Sequence, residues 1–129
     1  MNNITSPRTD DAGIEQEIIA KGLTAPRVTP ADIEANIASE YYFTAGNAAF
    51  PEEAISGHKI AVYRSLNLLT FCVLVLRNGF TVTGESAFAS PESFDAEIGR
   101  KIARANAMQK IWPLMGYALK EQLSKTSHD

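Results

Sequence analysis

The dipeptide Asn78-Gly79 constrains this chain most. It stands between two runs of strand-forming residues, L-T-F-C-V-L-V-L at Leu69–Leu76 and F-T-V-T-G-E-S-A-F at 80–88. Asn-Gly supplies the positive backbone angles that a tight hairpin requires, so the two runs predict an antiparallel pair. The first run is apolar on both faces apart from Thr70, which predicts a strand covered on both sides. The return strand alternates: Phe80, Val82, Gly84, Ser86 and Phe88 share one face, and Thr81, Thr83, Glu85 and Ala87 the other. Ser90-Pro91 reads as an N-cap followed by proline at the first helical position. A long helix is predicted from there to Trp112 and onward to Leu123, with a kink or interruption at Pro113 and Gly116. The fold class is therefore α+β. A small antiparallel sheet, its central hairpin at about 69–88, is packed by a long C-terminal helix and one or two short N-terminal helices.

The segments before the hairpin read as accessory packing. Residues 1–12, rich in Asn, Ser, Thr and Asp, predict a disordered arm. Residues 13–125 form a single domain, and 126–129 a frayed tail. A short helix is expected over 14–21, with Gly22 at its C-cap. In T-A-P-R-V-T-P, two prolines bracket Arg27 and stiffen the backbone around it. Arg27 is then a preset cation for an anionic ligand or a surface partner of a nearby carboxylate. Thr29, Pro30 and Asp32 start a helix expected over 30–39. Residues 41–44 predict a first strand. Residues 45–57 read as a loop or insertion with a helical turn at 51–54, and 58–63 as a short strand or its lead-in.

On the long helix, Phe94, Ile98, Ile102, Ala105, Trp112, Leu119 and Leu123 form one stripe at helical spacing. This stripe is expected to pack on the hairpin face that carries Phe80 and Val82. Ala96, Ala103, Ala107, Ile111, Leu114 and Ala118 form a second stripe. Its small residues suit either an N-terminal helix of the same chain or a subunit interface. Arg100 and Arg104 lie four residues apart beside that second stripe, so their planar forks can grip one phosphate or diphosphate. The alternative is ion pairing, for which Glu97 is suitably placed. Asn106 lies on a third side, as polar core or ligand contact.

A chain of 129 residues with 45% apolar content suits one small domain. Its net charge of −3 argues against a general binder of nucleic-acid polymers. The single Cys72 excludes an internal disulfide and a cysteine zinc site. His58 lacks a second ligand at metal spacing and His128 lies in the tail. No metal, cofactor or catalytic residue is expected. The polar N-terminus has no apolar signal region, and the run at 71–76 is far short of the roughly 20 residues that span a bilayer. A soluble cytoplasmic protein with no membrane partner is expected.

Four stretches together carry a resemblance: L-T-A-P-R-V-T-P, then L-L-T-F-C-V-L-V-L-R-N-G-F-T-V-T-G-E-S-A, then F-D-A-E-I-G-R-K-I-A-R-A-N-A, then I-W-P-L-M-G-Y-A-L-K-E. Over 23–123, with a gap or insertion near 45–65, the chain resembles a small tailed-phage protein family first catalogued from orphan genes of phages N4 and Sf6. It is similar to phage anti-defence proteins that act against the Thoeris system. The resemblance implies a sponge in the host cytoplasm, which holds a cyclic ADP-ribose-type signal of a host TIR enzyme without cleaving it. Members are oligomers up to hexamers, and some also bind cyclic oligonucleotides. The implied partners are therefore a cyclic nucleotide signal molecule and further copies of the chain, as a homo-oligomer from dimer to hexamer. Arg100 and Arg104 in G-R-K-I-A-R match the phosphate contacts best, and Arg27 less well. Where the family often has cysteine after Ser-Ala, this chain has Phe88. Phe88 or another aromatic would face adenine, and Ser86 with Asn106 would face ribose, in a pocket created by assembly. Two other readings stay open: an enzyme that degrades a nucleotide signal, and a protein-interaction module that blocks a host factor.

Overall fold

In the computed structural model of the protein, the described residues are 11–23, 25–50 and 59–126. Residues 1–10 of the arm expected at 1–12, the helical turn expected at 51–54 and the last three residues lie outside them, while residues 11 and 12 of that arm are already helical. Leu69–Leu76 forms the central strand, β2, of a three-stranded antiparallel sheet in the order β1-β2-β3. Its neighbours are β1, Ile37–Thr44, and β3, Thr81–Ala87. The register sets rows across the sheet: Tyr42, Cys72 and Gly84 in one, and Thr44, Thr70 and Ser86 in the next.

The hairpin forms as expected, with a different turn. Within the turn Gly79 takes a positive φ, +91°, whereas Asn78 does not, and no non-glycine residue does so among those described. The Gly79 amide donates to the Leu76 carbonyl, and Asn78 Oδ1 accepts from the Phe80 amide. Asparagine therefore acts through its side chain, and glycine supplies the left-handed residue that returns the chain to β3.

The helix that covers the sheet is α5, Ala96–Gln109, and it presents the face opposite to the one expected. Gly99, Ala103 and Ala107 are its buried residues, while Ile98 is 47% exposed. Ala103, Ala107 and Ile111 of the second stripe thus build this chain's own core, with Ile33, Cys72, Leu74, Leu76 and Val82, whereas Ala96, Leu114 and Ala118 of that stripe are exposed. Phe80, expected to face the helix, is 56% exposed beside the turn. The reason is steric. A Cβ on Gly84 would lie 2.2 Å from the Ala103 carbonyl oxygen and 2.3 Å from the Ala107 nitrogen. Helix backbone rests directly on strand backbone, and only small residues permit that approach.

Other boundaries differ from expectation. Ser90-Pro91 opens only a single 3-10 turn, Pro91–Ser93; Asp95 caps α5 by accepting from the Ile98 amide. The long helix breaks at Lys110, and α6 runs over Ile111–Thr126 without interruption at Gly116. Pro113 cannot donate to the carbonyl four residues back, that of Gln109, and its ring crowds it, so α5 ends there. Helix α1 is Asp11–Ala20, followed by Gly22 at φ +69°. Helix α2 is only Pro30–Ala35, with a capping box between Thr29 and Asp32, because β1 already begins at Ile37. Thr44 caps a short α3, Ala45–Ala49, where a loop was expected. The short strand or lead-in expected at 58–63 is, over the described residues 59–63, part of helix α4, Lys59–Leu66. Its β-branched and aromatic residues give a local strand preference that tertiary context overrides.

The outer sheet face is only half covered. Val73 and Val75 are half-buried, Phe71 stacks on Phe43 at 5.6 Å, and Tyr41 is 57% exposed. Flanking strands shield the β2 side chains on that face, so an apolar strand did not require a second covering layer.

Gly84→Ala is expected to destabilise the fold by about 2–3 kcal/mol, because backbone atoms of α5 must move to admit one methyl. Urea unfolding followed by circular dichroism measures this; an unchanged midpoint would contradict the backbone contact.

Candidate functional site

The row Thr44–Thr70–Ser86 places three hydroxyls side by side under the first turns of α5. Thr70 and Ser86 are 4% and 6% exposed, and neither side chain has a hydrogen-bond partner among the described residues. Buried hydroxyls are normally satisfied, and of these two Thr70 also borders a cavity. Gly99 lies over them: a Cβ there would sit 3.3 Å from both Thr70 Oγ1 and the Phe88 ring.

Beside Gly99 the gap between α5 and β1 opens into a crevice of about 90 Å³. Tyr42, Phe43, Thr44, Thr70, Phe94, Ala96 and Arg100 line it. The Arg100 side chain makes no hydrogen bond or ion pair among the described residues, so its fork of donors is uncommitted. The crevice thus combines a free guanidinium, aromatic walls and a buried hydroxyl, groups suited to an oxyanion joined to a ring or a sugar.

Arg104, one turn further along α5, has a different fate. Its Nε donates to Glu40 Oε1 at 3.0 Å and its Nη2 to Glu40 Oε2 at 3.3 Å. Nη1 and Nη2 also donate to Glu34 at 3.1 and 3.0 Å, and Nη1 to Met108 Sδ at 3.0 Å. All five N–H donors have protein acceptors, so a phosphate would have to displace a carboxylate to reach this side chain. The network continues into the crevice wall, where the Tyr42 hydroxyl donates to Glu40 Oε1 at 2.5 Å. Hydrogen bonding to Arg104 holds Glu34 below the usual carboxylate range, and hydrogen bonds from Tyr42 and then Arg104 do the same for Glu40. Burial, aided by the bond to Glu40, pushes the Tyr42 phenol well above its ordinary value. Burial likewise raises the Cys72 thiol beneath it.

The other expected site residues divide. Ser86 joins the hydroxyl row, and Phe88 packs edge-on against Phe94 at 5.3 Å. Asn106 lies across the helix, donating to the Glu85 carbonyl at 2.8 Å. Arg27 is remote from Arg100 and forks onto Glu15 at 2.7 and 2.8 Å. It borders a larger open groove of about 550 Å³, with Asp32, Asn36, Arg77, Met115 and Leu119. The Arg27 charge is answered by Glu15. Arg77 uses its Nε on the Ala35 carbonyl, and Asp32 adds negative charge at the rim. That groove is larger but electrostatically balanced, whereas the crevice holds an unanswered cation.

A family profile matches residues 28–123, close to three-quarters of the chain and all of the crevice. The chain belongs to the phage protein (N4 Gp49/phage Sf6 gene 66) family. No curated protein and no solved structure matches it. Within this phage protein, Arg27 falls one residue outside the matched span, while Arg100 and Arg104 lie inside it. Among the described residues, no cluster of His, Cys, Asp and Glu could hold a metal ion, and no helix is long and apolar enough to cross a membrane.

Sequence reasoning missed Glu34, Glu40, Tyr42 and Phe94 as parts of the site. Thr70 carried a signal, as the lone polar residue of an apolar strand. Glu34 and Glu40 carried none, because their partner is 64–70 residues away.

Arg104→Met is expected to cost about 1 kcal/mol at pH 7. The depressed Glu34 and Glu40 contribute stability above the ordinary carboxylate pKa, and it is lost as pH falls through their lowered values. The stability gap between wild type and variant should therefore be widest near neutrality and close below about pH 4. Thermal melts from pH 7 to pH 3 test this, and a gap that grows on acidification would contradict it.

Proposed function

We propose that this phage protein is an anti-defence sponge that binds a cyclic ADP-ribose-type host immune signal and holds it without cleaving it, as an anti-Thoeris protein in the host cytoplasm. One observation carries the reading: the uncommitted Arg100 guanidinium opens onto the same crevice as the unpartnered, buried Thr70 hydroxyl. Arg100 takes a phosphate oxygen, Thr70 and Thr44 meet ribose or phosphate oxygens, and Phe94 with Tyr42 offers aromatic surface to the base. Arg104 acts at one remove. It fixes Glu40, and through it Tyr42, so the wall is set before ligand arrives. The ligand class rests on the expected resemblance to anti-Thoeris proteins; the crevice supports the preference for an anion.

A sponge must bind tightly, and nanomolar affinity needs about −12 kcal/mol. The crevice of about 90 Å³ is much smaller than the roughly 300–1,000 Å³ typical of ligand pockets. A second copy completes the enclosure in this proposal, within a homo-oligomer of two to six chains. The Ala103–Ala107 surface is not available for that contact, being buried in the core. The exposed Tyr41 and Phe43 on the outer sheet face are available, and Phe43 also lines the crevice.

Calorimetric titration with cyclic ADP-ribose should show binding that Arg100→Ala weakens about tenfold or more. Heat-denaturing the complex should return intact ligand by mass spectrometry. Recovery of a cleaved product would make the protein an enzyme. Absence of binding, together with a stoichiometric host protein in pull-downs, would make it an interaction module. Light scattering that shows only a monomer with bound ligand would remove the second copy from the site.

A further inference from the structure

The Phe94 ring lines two hollows. One is the crevice of Arg100. The other, of about 220 Å³, is lined by Arg64, Asn67, Leu68, Pro91 and Phe94. Arg64 stands in the last turn of α4 and is exposed; like Arg100, it makes no hydrogen bond or ion pair among the described residues. The hollows are also joined by a hydrogen bond. The Thr44 hydroxyl, in the wall of the first, lies 2.6 Å from Asn67 Oδ1, in the wall of the second, and shares its single proton between that acceptor and Asn47 Oδ1. Phe88 supports the Phe94 ring edge-on, with 78° between the planes. Of the acidic groups nearest in sequence, Asp95 caps α5 and Glu97 pairs with Lys101 at 3.5 Å, while the exposed Glu92, next to Pro91, makes no hydrogen bond or ion pair among the described residues. Two uncommitted arginines thus line hollows that share the Phe94 ring, and the Thr44–Asn67 contact joins the two walls.

We propose that Arg64 is a second anion anchor of the same site, so that the ligand is a diphosphate ester whose linked phosphates lie across Phe94, one guanidinium to each. This rests on the nucleotide-binding reading above and adds to it a preference for diphosphate over monophosphate. Each guanidinium supplies a planar fork for one phosphate, and their separation by the ring disfavours both closing on a single monophosphate.

Full-length wild type, Arg64→Ala, Arg64→Lys and Arg100→Ala are titrated calorimetrically with cyclic ADP-ribose, inorganic pyrophosphate and inorganic phosphate. Wild type should prefer pyrophosphate to phosphate. Arg64→Ala should weaken cyclic ADP-ribose and pyrophosphate about tenfold or more and erase that preference, while Arg64→Lys keeps part of both. If Arg64→Ala binds both like wild type while Arg100→Ala does not, the second anchor is overturned and the sponge reading stands. If wild type binds pyrophosphate through Arg64 but ignores cyclic ADP-ribose, the anchor stands and the immune-signal reading falls. If wild type binds neither, both are overturned. Circular dichroism melts of the variants, expected to match wild type because Arg64 is exposed, separate lost binding from lost folding.

Discussion

Backbone contact between α5 and β3 governs this molecule. With no side chain at Gly84 and only methyl groups at Ala103 and Ala107, the helix settles onto the sheet closer than larger residues would allow. Gly99 continues the same ridge one turn earlier and lies over Thr70 and Phe88. Once that ridge faces the sheet, the helical rotation of 100° per residue sends neighbours to opposite sides. Arg100 and Arg104, each one position past a buried residue, turn toward β1. Asn106, one position before Ala107, turns toward β3 and meets the Glu85 carbonyl. The crevice is a consequence of this packing, since it is the space left between the turned helix and the edge strand.

Two arginines one turn apart then take different roles because of what β1 and α2 place opposite them. Arg104 meets Glu34 and Glu40 and spends every donor on the protein. The desolvation cost of a part-buried guanidinium is offset by two carboxylates in good geometry. The network ties α5 to α2 and β1 and orients Tyr42. Arg100 meets hydroxyls and aromatic rings instead, and keeps its donors free. A cation without an internal partner shares its crevice with the unpartnered Thr70 hydroxyl, the combination on which the proposed oxyanion site rests. The larger groove at Arg27 and Arg77 lacks that imbalance, although it has more room.

The hairpin, its turn position and the α+β class were legible because each rests on local chemistry: strand-forming runs and a glycine where the backbone turns. The core-facing side of α5 was not legible. Large apolar residues normally mark the buried stripe, but here the small ones do, since the strand opposite carries Gly84 at the point of contact. Helix α4 read as a strand because Ile60, Val62 and Tyr63 favour extended structure locally. At the site, the pairing of Arg100 with Arg104 was visible from spacing, yet their divergence was not, because it depends on Glu34 and Glu40 far away in sequence. Arg27 between its prolines read either as a preset cation for a ligand or as a partner of a nearby carboxylate, and the second holds: the stiff segment presents it to Glu15.

The central claim is that the crevice at Arg100, rather than the larger groove, receives an anionic nucleotide. Amide chemical-shift mapping of labelled protein during titration with cyclic ADP-ribose tests it directly. The account predicts that the largest shifts fall at Thr44, Thr70, Phe94, Ala96 and Arg100, with little change at Arg27, Arg77 and Met115. Shifts concentrated around Arg27, Arg77 and Met115, or none anywhere, would contradict it.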